Sequence, residues 1–222
     1  MAKEHRDESA VVTRWHLVRH APVIGAGKGA LGLLYKTHDE PADVSDAAAF
    51  GFLASWLPKG ALMISSGLTR TNQTADAIVA AGYEPAERIE DACFQEQFYG
   101  DWHGADRRAL QGDGDGRADV TPHNFWFHAA ADAVPGGESF LDVCARVSAG
   151  LAAQTAAHAG RNIVLVGHGG TFRAALAHAM GIEPDRALTI SVDNLSVTRI
   201  DHRPGTGRGG HWRTVYVNRR PG

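Results

Sequence analysis

Short apolar runs recur along the chain, and each stops abruptly at a polar or turn-forming residue. The runs Trp15–Val18, Ala61–Ile64 and Ile163–Val166 have the length and composition of buried strands. Two later segments, Ser191–Asp201 and His211–Val217, alternate between apolar and polar residues, and a glycine-rich turn joins them. The pattern predicts a sheet of buried strands that ends in an edge hairpin.

Helical segments lie between these strands. Ser45 can cap the first helix, Gly82 can end the second, and Gly181 can end the last. The predicted helices cover residues 45–56, 70–81, 139–158 and 171–180. Strands that alternate with helices indicate an α/β fold: a single three-layer domain with a mostly parallel central sheet, helices on both faces and the edge hairpin. We expect a frayed N-terminus over 1–12, one domain over 13–222, and an insertion near 101–137.

Composition excludes some classes of partner. The formal net charge of the 222-residue chain is −3, so there is no overall attraction for nucleic acid or an anionic membrane. An anion site would have to be a local cluster of arginines. No run approaches the ~20 apolar residues of a membrane span, and residues 1–9 lack the apolar core of a secretory signal. The two cysteines, Cys93 and Cys144, fit no metal-ligand spacing, and a cytoplasmic setting is expected.

Histidine and arginine stand where the apolar runs end. Arg19 and His20 follow the first run, Arg70 comes soon after the second, and His168 and Gly169 follow the third. Ligands of α/β proteins bind beyond the carboxyl ends of the strands, so these residues would converge if the strands are neighbours. A guanidinium group offers a fork of donors that matches two phosphate oxygens. Phosphate is therefore the expected ligand.

Two further residue types would complete a phosphoryl-transfer site. A neutral imidazole such as that of His20 can attack phosphorus, and neighbouring arginines disfavour its protonated form. The leaving oxygen needs a proton, which a carboxylic acid can supply. Glu96, flanked by Gln95 and Gln97, is the candidate acid among several nearby carboxylates.

Five segments, in order along the chain, resemble those of the histidine phosphatase superfamily, which is also called phosphoglycerate mutase-like. They are Arg19-His20-Ala21, Ser65–Arg70 with Gln73-Thr74-Ala75, Glu96–Trp102, Pro135–Ser139 and Val166–Gly170. The likeness spans roughly residues 13–200. Each segment alone is a weak signal, whereas five in register are a specific one.

The resemblance implies a role for each candidate. His20 is expected to accept the phosphoryl group, Glu96 to donate the proton, and His168 to complete the catalytic set. The phosphate pocket is then expected to consist of Arg19, Arg70, His168 and Gly169. Because the family is metal-independent, the resemblance implies no metal and no cofactor.

Departures from the family pattern favour one branch. Ala21 replaces the usual glycine, and Gly25–Gly27 stand where the family's phosphoglycerate mutases have an asparagine. We therefore expect a phosphomonoesterase that hydrolyses a small phosphorylated metabolite through a phosphohistidine. The segment Leu34–Pro41 resembles that of α-ribazole-phosphate phosphatases, although Lys36 stands where a glycine is usual.

Two other functions remain open at this stage: a phosphoglycerate mutase-type phosphoryl transferase and a non-catalytic module that binds phosphorylated ligands. The substrate would depend on the loop 23–41 and on the insertion 101–137. A homodimer could form by pairing of the edge hairpin.

Some other patterns have simpler interpretations. Gly27–Gly32 matches a dinucleotide fingerprint in letters, but it lies well past the strand, so a loop is expected. Asp113–Gly116 is expected to be a solvated turn rather than a calcium loop. Three histidines, His103, His123 and His128, are spaced too irregularly for a zinc site. Three aromatic residues, Trp102, Phe125 and Trp126, either form an apolar wall of the pocket or pack the insertion.

Overall fold

The computed structural model describes residues 11–24, 33–110, 123–205 and 207–220. Its strands are β1 (Thr13–Arg19), β2 (Leu62–Ser65), β3 (Glu87–Glu90), β4 (Asn162–Gly167), β5 (Val197–His202) and β6 (Trp212–Arg219). Its helices are α1 (Ala47–Trp56), α2 (Thr69–Ala80), α3 (Arg107–Leu110), α4 (Phe140–Ala157), α5 (Gly169–Met180) and α6 (Pro184–Leu188). Two 3₁₀ turns, Ala92–Phe94 and Gly100–Trp102, precede α3.

The strands form one mixed sheet in the order β3-β2-β4-β1-β5-β6. Strands β3, β2, β4 and β1 pair in parallel with one another. At the other side of the sheet, β5 pairs antiparallel with both β1 and β6. The apolar runs form its central strands because a strand covered on both faces must be apolar throughout. The predicted α/β fold with an edge hairpin is confirmed.

Helices cover both faces of the sheet, as predicted. On one face α4, α5 and α6 bury a core that includes Trp15, Phe140 and Phe172. On the other face α1 and α2 bury a second core around Phe50 and Leu53. Burial of apolar side chains on both faces makes the sheet a rigid platform for residues at its strand ends.

Several element bounds differ from the predicted ones. The side chain of Asp46, rather than that of Ser45, accepts a hydrogen bond from the N-terminus of α1. The strand expected from Ser191 begins only at Val197, because the backbone of Leu195 has a positive φ of 58°. The polar edge strand β3 and the short helix α6 have no apolar periodicity, and the sequence did not predict them.

The insertion packs against the loop that follows β1. The amide of Leu34 donates to the carbonyl of Ala105, and the amide of Gly104 donates to that of Tyr35. Trp102 and Trp126 contact the ring of Phe127 within the insertion, and Trp126 also lies against the guanidinium of Arg173, whereas Phe125 is 73% exposed. Residues 25–32 and 111–122, with their two glycine-rich patterns, lie outside the described part of the chain.

Within the described residues, no helix is both long enough and apolar enough to span a membrane.

Candidate active site

The ends of three adjacent strands bring the candidate residues together. β4 lies between β1 and β2, with Arg19 opposite Gly167 and Ser65 opposite Val166. The next residue of each strand, His20, Ser66 or His168, therefore emerges at one edge of the sheet. The rings of His20 and His168 have centroids 5.2 Å apart. The sequence predicted that these residues converge if their strands are neighbours, and the strands are neighbours.

His20 is fully buried, and its hydrogen bonds define its tautomer. Its Nδ1 lies 2.6 Å from the carbonyl oxygen of Ala21, which can only accept, so Nδ1 carries the proton. Its Nε2 is then an unprotonated nitrogen with a free lone pair, and it has no hydrogen-bond partner among the described residues. The backbone is held by Thr74, which accepts from the amide of Ala21, and by Asn194, which donates to the carbonyl of His20.

Both histidines of the site are held in the neutral form. Burial, reinforced by the guanidinium groups of Arg70 and Arg19, keeps the pKa of His20 well below its ordinary value. Burial, together with the charge of Arg70, does the same to the pKa of His168. A buried imidazolium among arginines would be destabilised both by desolvation and by like charge. His20 is therefore available as a nucleophile at neutral pH.

His168 holds Arg70 in place. Arg70 Nε donates to His168 Nδ1 at 3.2 Å, so the proton of this imidazole is on Nε2, which donates to Ser66 Oγ at 2.8 Å. Ser66 in turn bonds to Thr71, whose hydroxyl donates to the carbonyl of Leu68. Both ring nitrogens of His168 are thus engaged with protein groups, and a direct contact with phosphate would replace one of these bonds.

Arginine side chains place hydrogen-bond donors near His20. Arg19 Nε and Arg70 Nη2 are buried and have no hydrogen-bond partner within the described residues. A third arginine, Arg173 of α5, was not predicted; its side chain lies beside Gly169 together with that of Arg19. Burial and the charge of Arg19 lower the pKa of Arg173 to about 10. A cluster of three guanidinium groups favours an anion.

Glu96 is the carboxylate that faces this cationic region. Its oxygens accept hydrogen bonds from the amide of Gly170, at 3.1 and 3.3 Å, and from that of Gln97, at 3.0 Å. Gly170 belongs to the first turn of α5, whose N–H groups have no partner within the helix and can donate to a side-chain carboxyl group. The amide of Gly170 therefore holds the candidate acid, and a phosphate contact by the neighbouring Gly169 stays a prediction.

The chain matches the sequence model of the histidine phosphatase superfamily (branch 1) over residues 16–215. It belongs to that superfamily. The match spans every strand described above apart from the ends of β1 and β6, and it includes all the candidate residues. A search of curated proteins found no match to the chain.

Solved structures share the fold of this histidine phosphatase. A mycobacterial glucosyl-3-phosphoglycerate phosphatase is similar with a TM-score of 0.73 and 23% identity, over 94% of this chain and 99% of its own. A protein described as mycobacterial hydrolase 1 gives 0.71 and 24%, over 95% and 100%. The α-ribazole phosphatase of Shigella flexneri gives 0.68 and 22%, over 92% and 96%. At these identities the likeness establishes the fold.

The loop after β1 adds residues that sequence reasoning missed. The ring of Tyr35 lies under the guanidinium of Arg70, 5.3 Å from its carbon, and 6.5 Å from the ring of His20. The carbonyl of His38 accepts from Arg70 Nη1 at 2.7 Å. Burial and the charge of Arg70 lower the pKa of the His38 side chain. No periodic pattern in this polar loop signals a position over the site.

The three histidines of the insertion each have a contact of their own. His103 contacts the ring of Phe98, His128 contacts that of Phe127, and His123 bonds to the carbonyl of Asp185. Among the described residues, no three histidine, cysteine or carboxylate side chains are placed to bind one metal ion together.

Proposed function

We propose that this member of the superfamily is a phosphomonoesterase that hydrolyses a small phosphorylated metabolite through a phosphohistidine at His20. The observation that carries the proposal is a set of buried atoms that have no hydrogen-bond partner in the described part of the chain: His20 Nε2, Arg19 Nε and Arg70 Nη2. Buried polar groups are nearly always hydrogen-bonded. Several buried polar atoms at the strand ends that lack a partner among the described residues therefore favour the binding of a ligand there. A nucleophile flanked by guanidinium donors suits a phosphate dianion.

The first half of the reaction transfers the phosphoryl group to the protein. The lone pair of His20 Nε2 forms a bond to phosphorus while the bond from phosphorus to the leaving oxygen breaks. Arg19 and Arg70 bind the phosphoryl oxygens and stabilise the negative charge spread over them. The carboxyl group of Glu96 donates its proton to the leaving oxygen, which departs as an alcohol.

The second half returns the protein to its starting form. A water molecule attacks the phosphorus and gives its proton to the Glu96 carboxylate, while the bond from phosphorus to His20 Nε2 breaks. Inorganic phosphate leaves, and the neutral imidazole and the protonated acid are restored. No redox partner or added reactant other than water is needed.

A phosphate-release assay tests the proposal. Wild-type protein is expected to release phosphate from p-nitrophenyl phosphate in the presence of EDTA, and His20→Ala is expected to abolish this. Arg19→Ala or Arg70→Ala should each lower kcat/KM by about 10²–10³, as for the loss of a transition-state donor. A matched control is His178→Ala on the same α/β framework, since His178 contacts Trp212 and not the site.

A second measurement traps the intermediate directly. Rapid acid-free quenching with ³²P-labelled substrate should label wild-type protein with an acid-labile, base-stable phosphate that is lost in His20→Ala. Full activity in His20→Ala would overturn the proposal. Phosphate-dependent binding without turnover would support the non-catalytic module, and transfer between phosphoglycerate positions would support the mutase.

The identity of the metabolite is open to a substrate screen. The panel should contain sugar phosphates, nucleotides and phosphoglycerates, together with glucosyl-3-phosphoglycerate and α-ribazole phosphate, the compounds named for structural neighbours. A kcat/KM that is at least tenfold higher for one class would identify the physiological chemistry.

A further inference from the structure

The segment that carries Glu96 has no regular secondary structure of its own. Residues 95–99 run between the two 3₁₀ turns without pairing to a strand. An acid on such a segment needs other contacts to keep its carboxyl group within hydrogen-bond reach of a leaving oxygen. Small displacements matter, because general acid catalysis requires heavy-atom distances of about 2.6–3.2 Å.

Arg146 of α4 supplies several of these contacts. Its Nη1 donates to the carbonyls of Cys93 and Gln95, at 2.9 and 2.7 Å, and its Nη2 donates to that of Glu96 at 3.1 Å. One guanidinium therefore bonds to two carbonyls of the segment, one of them that of Glu96, and to one carbonyl of the preceding 3₁₀ turn. Only the planar fork of an arginine has enough donors in this geometry.

Glu138 connects the arginine to the other side of the segment. Its Oε1 and Oε2 accept from Arg146 at 2.7 and 3.0 Å, and its Oε2 also accepts from the amide of Phe98 at 2.9 Å. Its backbone carbonyl accepts from the side chain of Gln97, and its amide donates to the carbonyl of Phe98. The pair thus bonds to residues on both sides of Glu96.

The hydrogen bonds of Glu138 favour the ionised form of its carboxyl group. Burial raises the pKa of its carboxyl, but the hydrogen bonds from Arg146 and Phe98 outweigh burial and hold the pKa below its ordinary value. The carboxylate is therefore ionised at neutral pH, and its charge strengthens each bond that it accepts.

We propose that Glu138 and Arg146 are positioning residues for acid catalysis, which hold the backbone of residues 93–98 so that the Glu96 carboxyl reaches the leaving oxygen. The inference rests on the proposed function, because it assigns Glu96 the transfer of the proton. Glu138 belongs to the Pro-Gly-Gly-Glu-Ser segment that precedes α4, so the proposal assigns this segment a role in the reaction. In the described residues, neither Glu138 nor Arg146 forms a hydrogen bond or an ion pair with Arg19 or Arg70, the arginines expected to bind phosphate.

The test compares leaving groups. Phenyl phosphate and p-nitrophenyl phosphate have nearly the same shape, but phenolate is the poorer leaving group and depends more on the acid. The parameter is kcat/KM, which reports the transfer to His20 whichever later step limits kcat. Arg146→Lys, which keeps the charge but loses the fork, should lose about tenfold more kcat/KM for phenyl phosphate than for p-nitrophenyl phosphate. Glu138→Gln, which keeps the size, should show the same bias.

Two further variants make the result interpretable. Glu96→Gln should show the same bias to a larger degree, because the acid itself is lost and acid catalysis contributes about 10²–10⁴ in rate. Arg199→Lys is the matched control: Arg199 pairs with Asp201 at 2.8 Å in β5, and its replacement should leave the ratio of the two kcat/KM values unchanged. Circular dichroism and the Tm of each variant report folding.

Each outcome has a defined meaning. If Glu96→Gln shows the bias and the Arg146 and Glu138 variants lose activity equally on both substrates, the positioning role is overturned and the proposed function stands. If Glu96→Gln shows no bias, the assignment of the acid fails and the positioning role fails with it. Should Arg146→Lys not fold, Glu138→Gln decides the question by the same ratio.

Discussion

At the scale of single residues, the site depends on which nitrogen of each imidazole carries a proton. The carbonyl of Ala21 requires a proton on His20 Nδ1, and Arg70 requires an unprotonated His168 Nδ1. One histidine therefore exposes a lone pair to a ligand, whereas the other holds the arginine that would bind it. Two histidines at equivalent strand ends thus have different chemistry because their hydrogen-bond partners differ.

A single methyl group should separate acid catalysis from phosphate binding. A Cβ at Gly170 would overlap Glu96 Oε1, the end of a flexible side chain, so Gly170→Ala should fold but displace the carboxyl. We expect kcat/KM for phenyl phosphate to fall about tenfold or more, with a smaller loss for p-nitrophenyl phosphate, since part of the contribution of the acid is lost.

The control for this substitution is Gly51→Ala in α1, where no atom of the described residues lies within 4 Å of an added Cβ. It should leave kcat/KM for both substrates unchanged and raise the free energy of unfolding by roughly 0.5–1 kcal/mol. Equal loss of both activities in Gly170→Ala would argue that Glu96 does not act on the leaving group.

At the scale of elements, close backbone contact joins residues 98–101, which follow Glu96, to residues 135–137, which precede α4. A Cβ at Gly100 would overlap the backbone of Pro135 and Gly136, and one at Gly137 would overlap the backbone of Phe98 and Gly100. The amide of Asp101 also donates to the carbonyl of Pro135. Glycine is required at these positions because two backbones pass each other without room for a side chain.

Gly137→Ala should therefore be destabilising. The clashing atoms belong to the backbone and cannot rotate away, so we expect the free energy of unfolding to fall by about 1–3 kcal/mol, as for overpacking of a core. Urea denaturation followed by circular dichroism measures this change.

The control is Gly207→Ala, where an added Cβ would meet no described atom within 4 Å, and it should change the urea midpoint little. A Gly137→Ala protein as stable as wild type would mean that the two segments can separate without cost. In that event the tight backbone contact would not explain why glycine stands at positions 100 and 137.

At the scale of the whole molecule, buried neutral histidines link stability to pH. Burial lowers the pKa of His16 to about 4, with a contribution from Arg199. Burial also lowers the pKa values of His20, His128 and His168. Below the ordinary value of 6.5 the unfolded chain binds protons at these sites and the folded chain does not.

The sign of the effect follows from this difference in proton binding. Because the unfolded state takes up more protons, the free energy of unfolding should fall as the pH falls from 6.5 towards 4. Urea midpoints measured from pH 7.5 to 4.5 test this, with His16→Gln expected to have a shallower dependence by about one proton. A midpoint that rises on acidification would contradict the burial of neutral imidazoles.

The edge of the sheet leaves one question of assembly. β6 is the last strand on its side, and its outward residues are partly exposed. A homodimer formed by this hairpin remains a prediction, which the mass in solution would test.

Much of the fold could be predicted from the sequence because its causes are local. A run such as Ile163–Val166 is apolar throughout because both of its faces are buried, and Gly181 ends α5 with a left-handed backbone, φ 62°. The motifs around His20, Arg70 and His168 were found because each follows such a strand closely. β3 was missed because its residues Glu87–Glu90 carry the polar pattern of an exposed edge.

Other parts of the site depend on contacts between residues that are far apart in the chain. Asn194 reaches the carbonyl of His20 across 174 residues, and Ser66 reaches His168 across 102. The sequence determined the strands and the chemistry at their ends, since hydrophobic periodicity and residue type are properties of a segment alone. Only the tertiary structure decided the tautomers, the arginine beside Gly169 and the hold on Glu96, because hydrogen bonds and close packing depend on where distant segments meet.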